Sequence, residues 1–399
     1  MSLTLSNKAS HVKPSSTLAI TAKAKALRAQ GVDLVGFGAG EPDFTTPENI
    51  KEKAIEAIHD GFTKYTPASG IDELKQAISD KFKTFNHLDY GTDQIVISNG
   101  GKHSLTNIFT AIINEGDEVI IPAPFWLSYP EIVKLAGGVP VIVETTAEDS
   151  FKISPEKLAA ACNETTKAFI LNTPSNPTGM IYTREELEAL AKVIVEKDIY
   201  VVSDEMYEYL IYGEDEHVSI GSLGKDIYEH TITCSGLSKS YAMTGWRIGY
   251  TGASREITKL MSSVQSHQTS NPNSIAQKAA LEALVGPQDK VQEMVKEFGE
   301  RKDYIFNRLK ELPHVSIVEP KGAFYAFVDV SETFDKEYKG EKVGDVSRLA
   351  NILLDDYSVA VVPCTDFGFP GYIRLSYAIS MKRIGKGVDR IEAFLKDLK

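Results

Sequence analysis

The feature that most constrains this chain is a series of short, almost continuously apolar runs along its middle. They are QIVIS (94–98), EVIIP (118–122), VPVIV (139–143), KAFIL (167–171), IYVVS (199–203), TITC (231–234) and RIGYTG (247–252). Runs rich in β-branched residues with little polar alternation suit strands covered on both faces. Helical segments separate many of them, which is the pattern of a mostly parallel sheet sandwiched by helices. One helix is announced by Thr46-Pro47 before ENIKEKAIEAIHDG: a cap, a proline in the first turn, apolar helical spacing and a glycine stop. The expected fold class is α/β, with a seven-stranded, mostly parallel sheet in a large domain.

After about residue 285 the pattern changes. A long charged helix, DKVQEMVKEFGERKDYIFNRLKEL (289–312), precedes strands GAFYAFVDV, SVAVVP and GYIRLSYA. This reads as a smaller α+β domain made of residues 1–47 and 286–399, with 48–285 forming the large one. The net charge of −12 argues against a nucleic-acid partner, which needs a basic face. Three widely separated cysteines indicate a reducing compartment. No apolar run is long enough to span a bilayer, and the N-terminus lacks a signal-peptide h-region. The expected location is the cytoplasm, with no membrane partner.

Four loops rich in polar residues each follow an expected strand: NGGKHS (99–104), NTPSNPTG (172–179), SDEMYE (203–208) and SGLSKS (235–240). Ligands of open α/β sheets bind beyond the carboxyl ends of the strands, so parallel strands would gather all four loops at one edge. Gly100-Gly101-Lys102 reads either as an anion cradle at a helix N-terminus or as a tight turn; the P-loop spacing is missing. Asp204 is a site carboxylate or a helix cap, and no histidine cluster marks it as a metal ligand, so no metal is expected. Lys239 and Arg247 stand among small and apolar residues in TCSGLSKSYAMTGWRIGY (233–250). Desolvation there would make the lysine nucleophilic, and the arginine would offer a charged fork to a phosphate or carboxylate.

SDEMY, SGLSKSYAMTGWRIGY, NTPSNPTG, AGEPDF and YIRLSYA resemble, in order, the motifs of the fold type I, class I pyridoxal-phosphate-dependent aminotransferases, from about residue 10 to the C-terminus. The resemblance implies pyridoxal 5'-phosphate as cofactor and assigns roles by position. Lys239 resembles the lysine that forms the Schiff base and, once freed, shuttles a proton. Asp204 resembles the partner of the pyridine nitrogen, and Tyr207 and Asn176 the groups bonded to the ring's 3'-oxygen. Trp126 of APFWLSYP resembles the aromatic stacked on the ring. The phosphate would fall to Gly100-Gly101-Lys102, a serine of SGLS (Ser235 or Ser238), Arg247 and Tyr65 of KYTPASG. Tyr65 reaches in from the neighbouring subunit in that family, which implies a homodimer with shared active sites. Arg374 resembles the arginine gripping the substrate carboxylate, and Gly40 lies where backbone nears the substrate.

For the substrate, Lys102 resembles a lysine that recognises a distal carboxylate in one subgroup. VKPSSTLAI (12–20) resembles that subgroup's N-terminal segment, with Ser15 and Thr17 against the substrate and Lys13 at a position linked to prephenate use. The implied reaction is aspartate to 2-oxoglutarate amino transfer, with prephenate to arogenate as a second activity. The alternatives are an aromatic or neutral amino acid aminotransferase and a C–S lyase on the same fold. A regulator on this fold would need an N-terminal DNA-binding domain, for which the segment before Pro14 is too short.

Overall fold

The structure, a computed structural model, describes residues 5–10, 12 and 16–399, with backbone alone at 7, 8 and 16–21. Lys13 and Ser15 lie outside the described residues, and Thr17 is placed only as backbone in the helix Ser16–Ala29.

The seven expected runs form one sheet: β1 (Ile95–Ser98), β2 (Glu118–Ala123), β3 (Val139–Glu144), β4 (Thr166–Asn172), β5 (Tyr200–Asp204), β6 (Thr231–Gly236) and β7 (Gly249–Gly252). Their order is β1-β7-β6-β5-β4-β2-β3. Six strands share one direction and β7 alone runs against its neighbours β1 and β6. All residues of β1, β6 and β7 are buried, as their unbroken apolarity requires. Register places Asn172 beside Asp204 and Asp204 beside Cys234, so the polar ends of β4 and β5 reach the same level.

Helices cover both faces. α1 (Glu48–His59) buries Ile50, Ala54 and Ala57. α2 (Gly101–Ile112) follows β1 directly, and α3 (Ser128–Ala136) follows β2. α4 (Arg255–Gln268) and α5 (Ser274–Val285) precede the long α6 (Asp289–Leu309). One expectation fails locally. Thr46 does not cap α1; its hydroxyl donates to Ala242 O at 2.7 Å, because the chain there crosses the SGLSKS loop.

A second, antiparallel sheet contains β8 (Ser316–Ile317), β9 (Tyr325–Asp329), β10 (Val362–Pro363) and β11 (Tyr372–Ser376), in the order β10-β11-β9-β8. Its core draws in Val35 and Phe37 from the N-terminal side, Phe298 and Ile305 of α6, and Ile391 and Phe394 of the last helix, α7 (Met381–Lys396). Tyr207 and Leu210 join the same cluster, so the turn after β5 lies where the two sheets' cores meet. No described helix is long and apolar enough to cross a membrane.

Candidate active site

β1, β4, β5 and β6 all end at the same edge of the sheet. Because β7 is reversed, its beginning lies there too, which is how Arg247, just ahead of it, joins the loops. At this edge lies a cavity of about 470 Å3, within the size range of small-ligand sites. Lys239, Asp204, Tyr207, Asn176 and Trp126 line it. Gly101, Lys102, Ser238 and Arg247 line it from the β1, β6 and β7 loops, and Gly40 and Arg374 from the opposite side.

The 204–208 turn alternates its side chains. Asp204 and Tyr207 face the cavity, whereas Glu205 and Glu208 turn into a buried network behind it. Asp204 Oδ2 accepts from the Tyr129 hydroxyl at 2.7 Å and Oδ1 from Met206 N–H at 3.2 Å. Burial nonetheless pushes its carboxyl up to about 6; those two hydrogen bonds and Lys239 restrain the rise, and Glu205 adds to it. A carboxylate this desolvated is stabilised by a cationic ring N–H, which is what the pyridinium of pyridoxal phosphate offers. The Tyr207 hydroxyl hydrogen-bonds that of Tyr325 at 2.9 Å.

Lys239 Nζ donates to Gly40 O at 2.5 Å, and burial lowers its pKa to about 8. Arg374 is 3% exposed; it donates to Asn176 Oδ1 at 3.0 Å and Gly38 O at 3.3 Å, and stacks on Tyr325 at 4.4 Å. Its Nε has no acceptor among the described residues. A buried guanidinium with an unmet donor beside a cavity is fitted for a carboxylate. Lys102 stands at the rim with its ammonium 5.0 Å from the Trp126 ring centroid; desolvation, then Arg247, lowers its pKa.

The end of the cavity expected to take a phosphate combines backbone amides with the Arg247 and Ser238 side chains. Gly100 has φ 88°, and a Cβ there would fall 2.3 Å from an Arg247 nitrogen, so glycine admits the guanidinium. Arg247 has φ 58° and donates to Thr244 O and Asn99 O. The first amides of α2 have no intrahelical acceptor and carry the positive end of the helix dipole. Gly100 itself stays behind this cradle rather than lining the cavity.

Two expected phosphate ligands lie elsewhere on this chain. Ser235 is wholly buried and donates to Glu208 Oε1 at 2.6 Å, so between the two serines only Ser238 faces the cavity. Strand alternation explains the split, because Ser235 lies within β6 and points to the network side. Tyr65 is 90% exposed, away from its own chain's cavity.

The ligand atoms of Glu205, Glu208 and His217 lie within 4.8 Å of one another. Lys81 pairs with Glu208, Asn86 Nδ2 bridges both carboxylates, and Ser219 and His217 bond Glu205. Side-chain donors therefore already occupy this cluster. Sequence reading missed Tyr129, Tyr325 and Glu41. Tyr129 and Tyr325 are buried like core aromatics, and only their hydroxyl partners, Asp204 and Tyr207, mark them out.

The family model for "Aminotransferase class I and II" matches residues 32–391. An aspartate aminotransferase of Bacillus sp. (strain YM-2) is 50% identical over 98% of this chain and 99% of its own length. An aspartate/prephenate aminotransferase of Nitrosomonas europaea is 46% identical over 98% of this chain and 99% of its own. The solved structure of the Thermus thermophilus aspartate aminotransferase with maleate superposes with a TM-score of 0.93 at 45% identity, covering 98% of this chain and 100% of that one.

Proposed function

This chain belongs to the class I and II aminotransferases, and on that premise we propose that it moves the amino group of L-aspartate to 2-oxoglutarate using pyridoxal 5'-phosphate. One observation carries the reading. In a chain of net charge −12, the described residues lining the cavity include four cations, Lys102, Lys239, Arg247 and Arg374, against two carboxylates, Glu41 and Asp204. That excess suits a phosphorylated cofactor together with a dicarboxylate. The Thermus relative was solved with maleate, itself a dicarboxylate.

When bound, pyridoxal phosphate supplies an aldehyde that condenses with amines and a ring that takes up the electron pair released at the substrate's Cα. Arg247, Ser238 and the first amides of α2 would hold its phosphate. Asp204 would pair with the ring nitrogen and keep it protonated, and Tyr207 and Asn176 would hydrogen-bond the ring oxygen. Arg374 would take the substrate's α-carboxylate through its Nε, Lys102 would pair with the distal carboxylate, and Trp126 would cover the ring. Lys239, with its pKa near 8, carries the proton at Nζ. The family resemblance also assigns Lys13, Ser15 and Thr17 to substrate recognition.

The same reading divides the molecule at 48–285, with the two flanking segments forming a smaller domain. It also makes the active unit a homodimer in which Tyr65 serves the partner's phosphate site. Support comes from the exposure of Tyr65 and from Ile55 and Ile58 of α1 and Leu260 of α4, all about half exposed. The three free cysteines agree with a cytoplasmic home. The Nitrosomonas relative favours prephenate as a second substrate.

A single-turnover assay tests the reaction. The cofactor-loaded protein's visible absorbance should be bleached by L-aspartate with stoichiometric oxaloacetate and restored by 2-oxoglutarate. Release of ammonia, pyruvate and a thiol from a cysteine thioether, with no bleaching by aspartate, would instead identify a C–S lyase, and bleaching only by aromatic or neutral donors would overturn the acidic substrate. Glutamate with prephenate, scored for arogenate, tests the second activity.

A further inference from the structure

Tyr65 is 90% exposed, yet the loop that carries it is fastened firmly. Gln277 of α5 is wholly buried; its Oε1 accepts from Ile71 N–H at 2.8 Å, and its Nε2 donates to Thr66 Oγ1 at 3.0 Å and Pro272 O at 2.9 Å. Gln265 of α4, also wholly buried, donates to Ala68 O at 2.6 Å. Ile97 N–H donates to Ser69 O at 3.0 Å, and Ser274 Oγ to Phe62 O at 2.8 Å. Gly70 has φ 105°, and a Cβ there would fall 2.3 Å from Ile97 Cδ1, so the loop lies tight on β1.

A buried amide is tolerated only when its donors and acceptor are met. Gln277 meets most of its requirement with the loop on the C-terminal side of Tyr65. Exposed loop tips are ordinarily the mobile parts of a fold. Fixing one whose outermost side chain is an aromatic with a hydroxyl removes the ordering cost from a later encounter. Gln277 does not line its own chain's cavity, so its effect is directed outward.

We propose that Gln277 is a positioning residue for the neighbouring subunit's active site. It holds the Thr66–Ile71 stretch so that the Tyr65 hydroxyl meets the phosphate bound by a second copy of this chain already oriented. The proposal rests on the shared-site homodimer argued above.

Hybrid dimers test it. Two differently tagged chains are co-expressed, one carrying Lys239→Ala, so that only the other chain's site gives the cofactor's visible absorbance. Gln277→Leu is placed either on the Lys239→Ala chain, opposite the live site, or on the live chain. Thr66→Val, a milder change at a half-buried position, removes the loop end of the same bond. For either substitution, cofactor affinity at the live site should fall about tenfold in the first arrangement and stay within about twofold in the second. No loss in the first arrangement overturns the proposal. So does an equal loss in both, which is what general loosening would give. Tyr65→Phe separates this role from its premise. If Tyr65→Phe weakens the opposite site while Gln277→Leu and Thr66→Val do not, the positioning role alone falls. If Tyr65→Phe has no effect across the dimer, the shared site falls with it.

Discussion

Asp204 shows how one residue sets function against stability. Burial raises its pKa from 3.8 to about 6, so between those values the folded chain binds more protons than the unfolded one. Its contribution to stability is therefore complete below pH 4 and is lost as pH rises through 6. At pH 7 the ionised group costs up to roughly 3 kcal/mol. Asp204→Asn should raise the Tm of the cofactor-free protein at pH 7, with the gain vanishing below pH 4, and should weaken cofactor binding. Equal Tm shifts at both pH values, by calorimetry, would contradict this assignment. On the proposed function, two cations that line the same cavity would divide substrate recognition. Arg374→Lys loses the fork and should raise KM for every amino donor by about tenfold to a hundredfold, the worth of a charged hydrogen bond. Lys102→Met should raise KM for aspartate far more than for an aromatic donor; steady-state kinetics with both donors separates the two. The sequence showed these charged groups because cations among small residues stand out. It did not show Tyr129 or Tyr325, whose importance lies in a hydroxyl partner distant along the chain.

At the scale of elements, apolar runs located all seven strands of the large sheet; double-sided burial leaves that plain mark on the interior strands, whereas the edge strand β3 is apolar although none of its residues is fully buried. Strand direction leaves no such mark. RIGYTG read as one strand, but Arg247 is left-handed and β7 begins at Gly249, antiparallel to both neighbours. That reversal brings Arg247 to the sheet edge that bears the cavity. Gly249 marks the closest approach: a Cβ would fall 2.4 Å from Gly101 N and 2.5 Å from Gly100 C. Backbone atoms cannot rotate away as a side chain would. Gly249→Ala should therefore push β7 from the start of α2, costing about 1–3 kcal/mol and weakening phosphate binding together. Gly245→Ala, with nothing within 4 Å of the added carbon, is the matched control. Urea titration with and without cofactor measures both effects, and a Gly249→Ala protein matching this control would refute the close approach.

Across the whole molecule, the segment from Gly38 to Thr46 ties the sheet edge bearing Lys239 to the structure around the second sheet. Gly38 O accepts from Arg374, Gly40 O from Lys239, and Glu41 from Thr244 at 2.9 Å. Thr46 binds Ala242 O and accepts from Trp246 Nε1 at 3.0 Å. Its midpoint is anchored on α6, where Arg301, 3% exposed, pairs with Asp43 and Glu297 at 2.6 Å each and packs on Phe44 and Phe298. Asp43→Ala removes one partner from a buried cation and leaves Glu297, itself half exposed. The expected loss is about 1–3 kcal/mol, below that of a fully stranded charge. Its functional effect should be one-sided. Gly38 and Gly40 border the cavity beside Arg374, whereas Gly101, Ser238 and Arg247 approach from separate loops. KM for aspartate should therefore rise several-fold while cofactor affinity holds nearly constant. Equal losses in both would mean that the segment merely supports the fold; an unchanged KM with lowered stability would mean that its grip on Arg301 does not reach the substrate.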